Sequence, residues 1–148
     1  MFAEKDIVYF DPFYFKNGNK AKPKYFVVLK SVGEESIIAS LPTRNDHIPE
    51  KHMLSYGCVE VPEININCFV ISSETIITEC GKTFDFPTHI YGSGIDSYEK
   101  TALKEIYPIK GTDFTIWGRM TDKSYNELIT CLSTSKSVKR KYKKILSK

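Results

Sequence analysis

The chain has 148 residues, of which 41% are hydrophobic, 26% charged and 13% aromatic. That length suits one domain, residues 1–148, and that composition excludes a largely disordered chain. The 21 basic and 18 acidic residues give a formal net charge of +3, and seven of the basic residues, with no acidic one, lie in a tail over residues 136–148. Removing these seven from 21 leaves 14 basic residues in the body against 18 acidic ones. The tail is therefore predicted to bind a polyanion or to dock on the acidic body.

Three strands are predicted in the first third of the chain. Runs rich in β-branched and aromatic side chains, which favour strands, cover residues 7–10, 25–29 and 36–41. Asp11-Pro12 ends the first run, Asn17-Gly18 marks a turn, and Gly33 separates the second run from the third. If the second and third strands pair antiparallel, the residues before one and after the other lie at the same end of a hairpin.

Further short strands follow, with turn residues between them. They are predicted over residues 58–61, 68–72, 75–78, 88–91 and 114–117. Residues 44–56 are polar and interrupted by Pro49, which predicts a loop with a short helical turn.

Helices are predicted late in the chain. Asp96 and Glu99 have the spacing of a capping box, and Pro108 ends the helix that would follow. Ser124 and Glu127 mark the start of a second helix, and apolar residues at helical spacing among the tail lysines predict a third, amphipathic and basic. Together the elements predict an α+β, mainly β fold, a small β-barrel or half-barrel with two or three helices.

The cysteines and the N-terminus indicate a compartment. The N-terminus has no apolar signal core, and no segment approaches transmembrane length. The four cysteines are scattered without a C-x-x-C pair, and His47, His52 and Cys58 lack the ligand spacing of a zinc site. Cysteines that look free are typical of the cytosol, so we predict a cytoplasmic protein without a metal or other cofactor.

The two ends of the predicted hairpin carry residues that can handle phosphate. Lys22 and Lys24 come before its first strand, and Thr43, Arg44 and His47 follow its second. Cations stabilise developing negative charge, while a hydroxyl and an imidazole can donate or relay protons. The alternative is that these residues are ordinary solvated loop ends.

An aromatic loop offers a second candidate site. Phe13, Tyr14 and Phe15 precede a loop that carries Lys16 and Lys20. Rings that stack bases beside cations that hold phosphates are a common way of binding single-stranded nucleic acid. The alternative is that these rings cap the core beneath the loop.

The basic tail offers a third candidate. Its helix carries Lys139 and Arg140 on the faces that the apolar stripe leaves free. Such a helix can dock on its own domain, lie along a nucleic-acid backbone or touch an anionic membrane. The apolar stripe is short, so a membrane is the least favoured of the three, and we expect no membrane partner.

A family resemblance rests on the order of these motifs. The chain reads KDIVYFDP, a polar Asn-Gly loop, AKPKYFVVLK, a strand leading into SLPTR, and finally TIWGRMTDKSYNELITCL. This order resembles the MazF/PemK-like toxins of bacterial toxin–antitoxin systems. Those proteins begin with a G-D-I-V-type strand, carry a basic-Pro segment that opens a V-V-V-L strand, and place Thr or Ser at the end of the next. The likeness covers residues 5–45 and 114–132.

The resemblance implies a fold, an activity and partners. It implies an SH3-like barrel of the PemK type that forms a homodimer, cleaves single-stranded RNA without metal, and is held inactive by a cognate antitoxin protein. The family's catalytic pair falls on Lys22 and Thr43, with Lys22 standing where the family has Arg, so a point charge replaces a bidentate fork. We expect Lys24 and Arg44 to add charge and His47 to act as acid or base.

Metal-free cleavage needs a base for the 2′-hydroxyl, a cation for the phosphoryl oxygens and an acid for the leaving oxygen, and it would leave a 2′,3′-cyclic phosphate.

Two other functions fit the same residues. A barrel without catalytic activity can instead bind nucleic acid or a protein partner through Phe13, Tyr14 and the tail. An adaptor without a nucleic-acid role is the third hypothesis.

Overall fold

The computed structural model describes residues 2–42 and 48–148, and within them the chain is α+β, with eight strands and three α-helices. The strands are β1 Asp6–Phe13, β2 Lys22–Val32, β3 Glu35–Ser40, β4 Gly57–Val61, β5 Ile66–Ile71, β6 Thr88–Tyr91, β7 Ile95–Glu99 and β8 Phe114–Arg119. The helices are α1 Lys100–Ile106, α2 Asp122–Ser133 and α3 Arg140–Leu146. Most of the predicted strands are therefore confirmed, although β1 continues through Asp11-Pro12 instead of ending there.

The strands form two antiparallel sheets. The larger has the order β7-β3-β2-β1-β8, and the smaller has the order β4-β5-β6. Among the described residues the two sheets share no strand ladder. Of the barrel and half-barrel that the sequence predicts, the closed barrel is therefore wrong for this part of the chain. Two open sheets carry the core instead.

The main core lies between the two sheets and the last two helices. It combines residues from β1, β2, β3, β5, β6, α2 and α3. A second cluster covers the opposite face of the larger sheet, beneath α1, and a third covers the outer face of the smaller sheet. The run from Phe26 to Leu29 in β2 alternates between the first two clusters. A strand with both faces buried needs such an unbroken apolar run, and this explains why β2 is uniformly hydrophobic there.

Two predicted elements are wrong. Residues 75–78 are not a strand, because only Thr78 forms an isolated bridge, to Met120. Asp96 does not cap a helix. It lies in β7 opposite Ile38, and α1 begins four residues later, at Lys100. In both cases long-range pairing decides the local conformation.

The second helix is confirmed, with a different cap. The hydroxyl of Thr121 accepts a hydrogen bond from the backbone N–H of Ser124 at 3.2 Å, so Thr121 is the N-cap in place of Ser124. Leu128 and Leu132 on its inner face are fully buried. The short helical turn predicted before Tyr56 is also present, at Glu50–His52.

The tail packs on its own domain through its apolar stripe. Val138, Tyr142 and Leu146 are 4%, 5% and 2% exposed and belong to the main core. The side chains of Lys139 and Arg140 remain exposed. Docking of the tail on the body, one of the three predicted alternatives, is therefore what the structure contains, and the tail still presents its cations to solvent.

The cysteines are not all free. Cys58 in β4 and Cys131 in α2 form a disulfide, while Cys68 and Cys80 are free thiols. The prediction of free cysteines is wrong for the first pair, because the fold brings together two residues 73 positions apart. The prediction of a cytoplasmic location loses that support. Across the described residues, no helix is long and apolar enough to cross a membrane.

Candidate nucleic-acid interface

The hairpin end predicted from the sequence exists. Phe26 pairs with Ser40, and the backbone N–H of Leu41 donates to the carbonyl of Tyr25 at 3.0 Å. Lys24 directly precedes Tyr25 in β2, so it lies beside the point where the chain leaves β3. The exposed Lys22 is the first residue of the same strand. We call this region the hairpin end.

Three of the predicted catalytic residues, Thr43, Arg44 and His47, lie outside the described residues. The residues that border this segment are anchored, since Leu41 is 7% exposed in the main core and Ile48 is 6% exposed in the core of the smaller sheet. The hairpin end therefore consists of its described residues, Lys22, Lys24, Tyr25, Ser40 and Leu41.

A cluster of half-buried aromatic rings adjoins the hairpin end. Phe84 and Trp117 stack with a centroid separation of 4.5 Å and an interplanar angle of 5°. The Tyr25 ring is inclined at 82° to both, with centroid separations of 5.8 Å and 5.9 Å, and the centroids of Tyr9 and Tyr25 are 4.6 Å apart. We call these four rings the aromatic surface. It continues directly into the hairpin end, because Tyr25 belongs to both.

A lysine lies against this surface. The Lys82 ammonium donates to the carbonyl of Trp117 at 2.7 Å and lies 5.2 Å from the centre of the indole ring. Its side chain is exposed, so the charge faces solvent beside a π system. Burial, and secondarily the charges of Tyr9 and Asp85, raise the pKa of Tyr25, which keeps its phenol neutral at physiological pH.

The sequence could not reveal the aromatic surface. Its rings come from β1, β2, β8 and the loop before β6, so only the folded chain brings them together. The available signal was Trp117, the only tryptophan of the chain, in a strand whose pairing with β1 is irregular between Ile7 and Val8. Such irregularities redirect side chains.

The predicted aromatic loop is divided between core and surface. Phe13 is 1% exposed and packs 4.3 Å from Phe26 and 5.8 Å from Tyr107, measured between ring centroids. Its ring is therefore a core side chain and cannot stack a base. Tyr14 is 54% exposed, and its backbone N–H donates to the Tyr107 hydroxyl at 2.9 Å. Only Tyr14 of this pair offers a ring to solvent.

The cations of that loop and of the tail have different surroundings. Lys16 forms an ion pair with Asp96 at 3.1 Å and lies 4.0 Å from the centre of the Tyr98 ring, whereas Lys20 is exposed in the loop. The tail helix lies towards the opposite end of β3, where Asp96 and Glu35 raise the pKa of Tyr142 after the larger effect of burial. Lys139 and Arg140 lie at the start of this helix and are exposed.

A histidine that the sequence did not single out adjoins the hairpin end. His89 in β6 is 2% exposed, and its backbone N–H donates to the carbonyl of Pro42 at 2.8 Å. This bond ties the smaller sheet to the residue that precedes Thr43. Its signal in the sequence was weak, because a lone His within a strand is usually structural.

Cys80 provides a chemical reporter next to this surface. Its sulfur lies 3.6 Å from the Thr78 hydroxyl, and hydrogen bonds to the thiolate, first from this hydroxyl and then from the backbone of Lys82, lower the pKa of Cys80. Burial instead raises the pKa of Cys68 to about 12. Because thiolates are the reactive form, we expect iodoacetamide at pH 7 to label Cys80 and spare Cys68 in the folded protein, as read by peptide mass spectrometry. Equal labelling of the two would contradict this assignment.

Metal ligands do not gather at the interface. Over residues 2–42 and 48–148, no three His, Cys, Asp or Glu side chains are grouped so that they could hold a metal ion. Cys58 is bonded to Cys131 and is not available as a thiolate ligand.

Comparison with models of known protein families gives no match, and comparison with curated proteins gives none either. The resemblance to MazF/PemK-like toxins therefore stays a resemblance of motifs.

Proposed function

We propose that this protein binds single-stranded RNA across the aromatic surface and the hairpin end. The observation that carries the proposal is the contiguity of Tyr25, Phe84 and Trp117 with Lys82, whose ammonium lies beside the indole. Lys24, next to Tyr25 in β2, adds a cation at the hairpin end on the opposite face of the strand. Aromatic rings stack bases of any sequence while cations track the backbone.

Single-stranded RNA suits these residues better than a duplex does. A base inside a duplex is already stacked on both faces, so it cannot reach half-buried rings such as Phe84 and Trp117. The body outside the tail is also more acidic than basic, which is unfavourable for a protein that relies on phosphate contacts along a duplex. Recognition through a few stacked bases avoids that difficulty.

RNA cleavage is the second function that we propose, following the resemblance. The observation that favours it is the position of Lys24, directly before Tyr25 in β2. The Tyr25 carbonyl accepts a hydrogen bond from the Leu41 N–H, so Lys24 lies close to the chain that leads to Thr43. In this proposal Lys22, Lys24 and Arg44 stabilise the phosphoryl oxygens and Thr43 positions the strand. His47 transfers the proton, and the 2′-hydroxyl attacks the adjacent phosphorus to give a 2′,3′-cyclic phosphate and a 5′-hydroxyl end.

A cognate antitoxin and a second copy of the chain are the protein partners in this proposal. Both rest on the resemblance alone. Copurification with the product of a neighbouring reading frame tests the first, and the mass of the purified protein in solution tests the second.

Incubation with labelled single-stranded RNA in EDTA separates binding from cleavage. We expect a gel shift with intact RNA if the protein only binds, and shortened RNA ending in a cyclic phosphate if it also cleaves. Thr43→Ala should then abolish cleavage and keep the shift, whereas Thr101→Ala, at an exposed position of α1, should change neither. RNA that stays both intact and unbound at low salt, where backbone contacts are strongest, would leave the adaptor hypothesis.

A further inference from the structure

An open groove of about 450 Å³ lies between the smaller sheet and α2. Both cysteines of the disulfide are among the residues that line it, Cys58 from the edge strand β4 and Cys131 from α2. The volume lies within the range for pockets that hold small molecules. A small molecule in this groove would therefore lie against the disulfide.

The two cysteines differ in their exposure. Cys58 is exposed, whereas Cys131 is 3% exposed and packs in the main core. In thiol–disulfide exchange a thiolate must reach one of the two sulfurs, and the other sulfur leaves with the electron pair of the broken bond. The exposures therefore favour attack on the sulfur of Cys58, with the sulfur of Cys131 as the leaving group.

The buried sulfur of Cys131 has a donor and an acceptor beside it. The side-chain nitrogen of Asn67 lies 3.5 Å from this sulfur, and an N–H donor stabilises the negative charge that a leaving thiolate develops. The backbone carbonyl of Cys68 lies 3.8 Å from the same sulfur and can accept from a thiol S–H. Both forms of the released sulfur therefore have a hydrogen-bond partner.

Packing anchors β4 and α2 independently of the disulfide. Val59 and Val61 of β4 are 3% and 7% exposed in the core of the smaller sheet, and Leu128 and Leu132 of α2 are both 0% exposed in the main core. Buried apolar side chains of this kind are the main source of folding stability. The fold is therefore expected to persist when the disulfide opens, as a reversible exchange requires.

The wall formed by α2 is polar. Asn126, Thr130 and Thr134 are exposed, line the groove and follow one another at four-residue spacing, so they lie in one row on the helix. Their amide and hydroxyl groups can donate hydrogen bonds to, or accept them from, the peptide groups of a small thiol such as glutathione.

We propose that the Cys58–Cys131 disulfide exchanges reversibly with a low-molecular-weight thiol that occupies this groove. The small thiolate bonds to the Cys58 sulfur, the bond between Cys58 and Cys131 breaks, and its electron pair leaves on the Cys131 sulfur, which takes a proton from water. A second small thiolate then attacks the sulfur of the first one, forms a small disulfide and releases the Cys58 thiolate. Two small thiols are oxidised, and the protein disulfide is reduced to two thiols.

Two variants of a Cys80→Ser chain, which lacks the exposed free thiol, test which sulfur is attacked. Cys131→Ser leaves the Cys58 thiol in the groove, and Cys58→Ser leaves the Cys131 thiol in the core. With oxidised glutathione under native conditions, we expect Cys58 in the first variant to form a mixed disulfide at least about tenfold faster than Cys131 in the second. Peptide mass spectrometry after acid quenching measures both rates, and thermal melting curves show whether the variants are folded. Cys68, which is 0% exposed, should stay unmodified in both. Equal rates, or faster reaction at Cys131, would overturn the proposal.

The chain with all four cysteines tests the groove with the disulfide in place. Reduced glutathione is expected to open the bond at a rate that a low concentration of urea does not raise, because exchange takes place in the folded protein. Thr130→Trp fills the groove and should slow this reduction about tenfold, since access limits exchange, while Thr101→Trp, at an exposed position of α1, should not.

Three results with that chain would overturn the proposal: reduction that proceeds only as urea unfolds the protein, reduction that Thr130→Trp leaves unchanged, or reduction by a protein dithiol but not by glutathione. These measurements contain no RNA, so they stand or fall separately from RNA binding at the aromatic surface.

Discussion

Replacing Leu146 with alanine is expected to lower the free energy of unfolding by about 2–5 kcal/mol, although Leu146 lies only two residues from the end of the sequence shown. The reason is its burial, since Leu146 is 2% exposed and packs in the same core as Leu128 and Tyr142. Urea unfolding measures the effect, with a lower midpoint and an unchanged dependence on denaturant.

The same helix supplies the matched control. Lys144, two residues before Leu146, is exposed, so Lys144→Ala should change the free energy of unfolding by no more than about 0.5 kcal/mol. Similar small effects for both substitutions would mean that the tail does not belong to the core. The distinction matters for the RNA hypothesis, because deleting residues 136–148 would remove buried side chains together with the cations. Point substitutions at Lys139 and Arg140 test the cations alone.

The elements that the sequence predicted well are those with strong local patterns. The hairpin of β2 and β3 follows from two apolar runs around Gly33, and α2 follows from its amphipathic stripe; both patterns are complete within a few residues. The apolar face of the tail was predicted on the same basis, and its burial is what such a stripe requires.

The failures arise where distant partners decide the structure. Asp96 and Glu99 match a capping box, but the ladder of β7 with β3 holds this segment extended. Residues 75–78 have a strand-like composition and yet form only one bridge, from Thr78 to Met120, just after the end of β8. Local patterns contain no information on such competition.

The candidate site was predicted in part for the same reason. That Lys24 lies beside the end of β3 follows from antiparallel pairing, which the sequence indicates. The stacking of Phe84 on Trp117 joins a loop to a strand far along the chain, and the disulfide joins Cys58 to Cys131. Contacts of this kind depend on the packing of two sheets, which no short motif specifies.

Trp117→Leu is expected to weaken the binding of single-stranded RNA by about 5- to 150-fold, because stacking of one base on an aromatic ring is worth about 1–3 kcal/mol. The indole is half-buried against Phe84 and Tyr25, so leucine retains apolar contact with its neighbours while removing the π face. Fluorescence anisotropy of a labelled oligonucleotide at fixed salt measures the change in Kd, and the thermal melting curve shows whether the variant is folded.

Tyr14→Leu is the matched control, since Tyr14 is an exposed ring in the loop that the sequence favoured for RNA binding. If RNA crosses the aromatic surface, this variant should bind nearly as well as the unchanged protein, and Lys82→Gln should reduce the salt dependence of binding by about one phosphate contact. A large loss with Tyr14→Leu and none with Trp117→Leu would move the interface to the loop. Phe84→Leu provides an independent reading if Trp117→Leu is unfolded, because Phe84 contributes a second ring of the same surface.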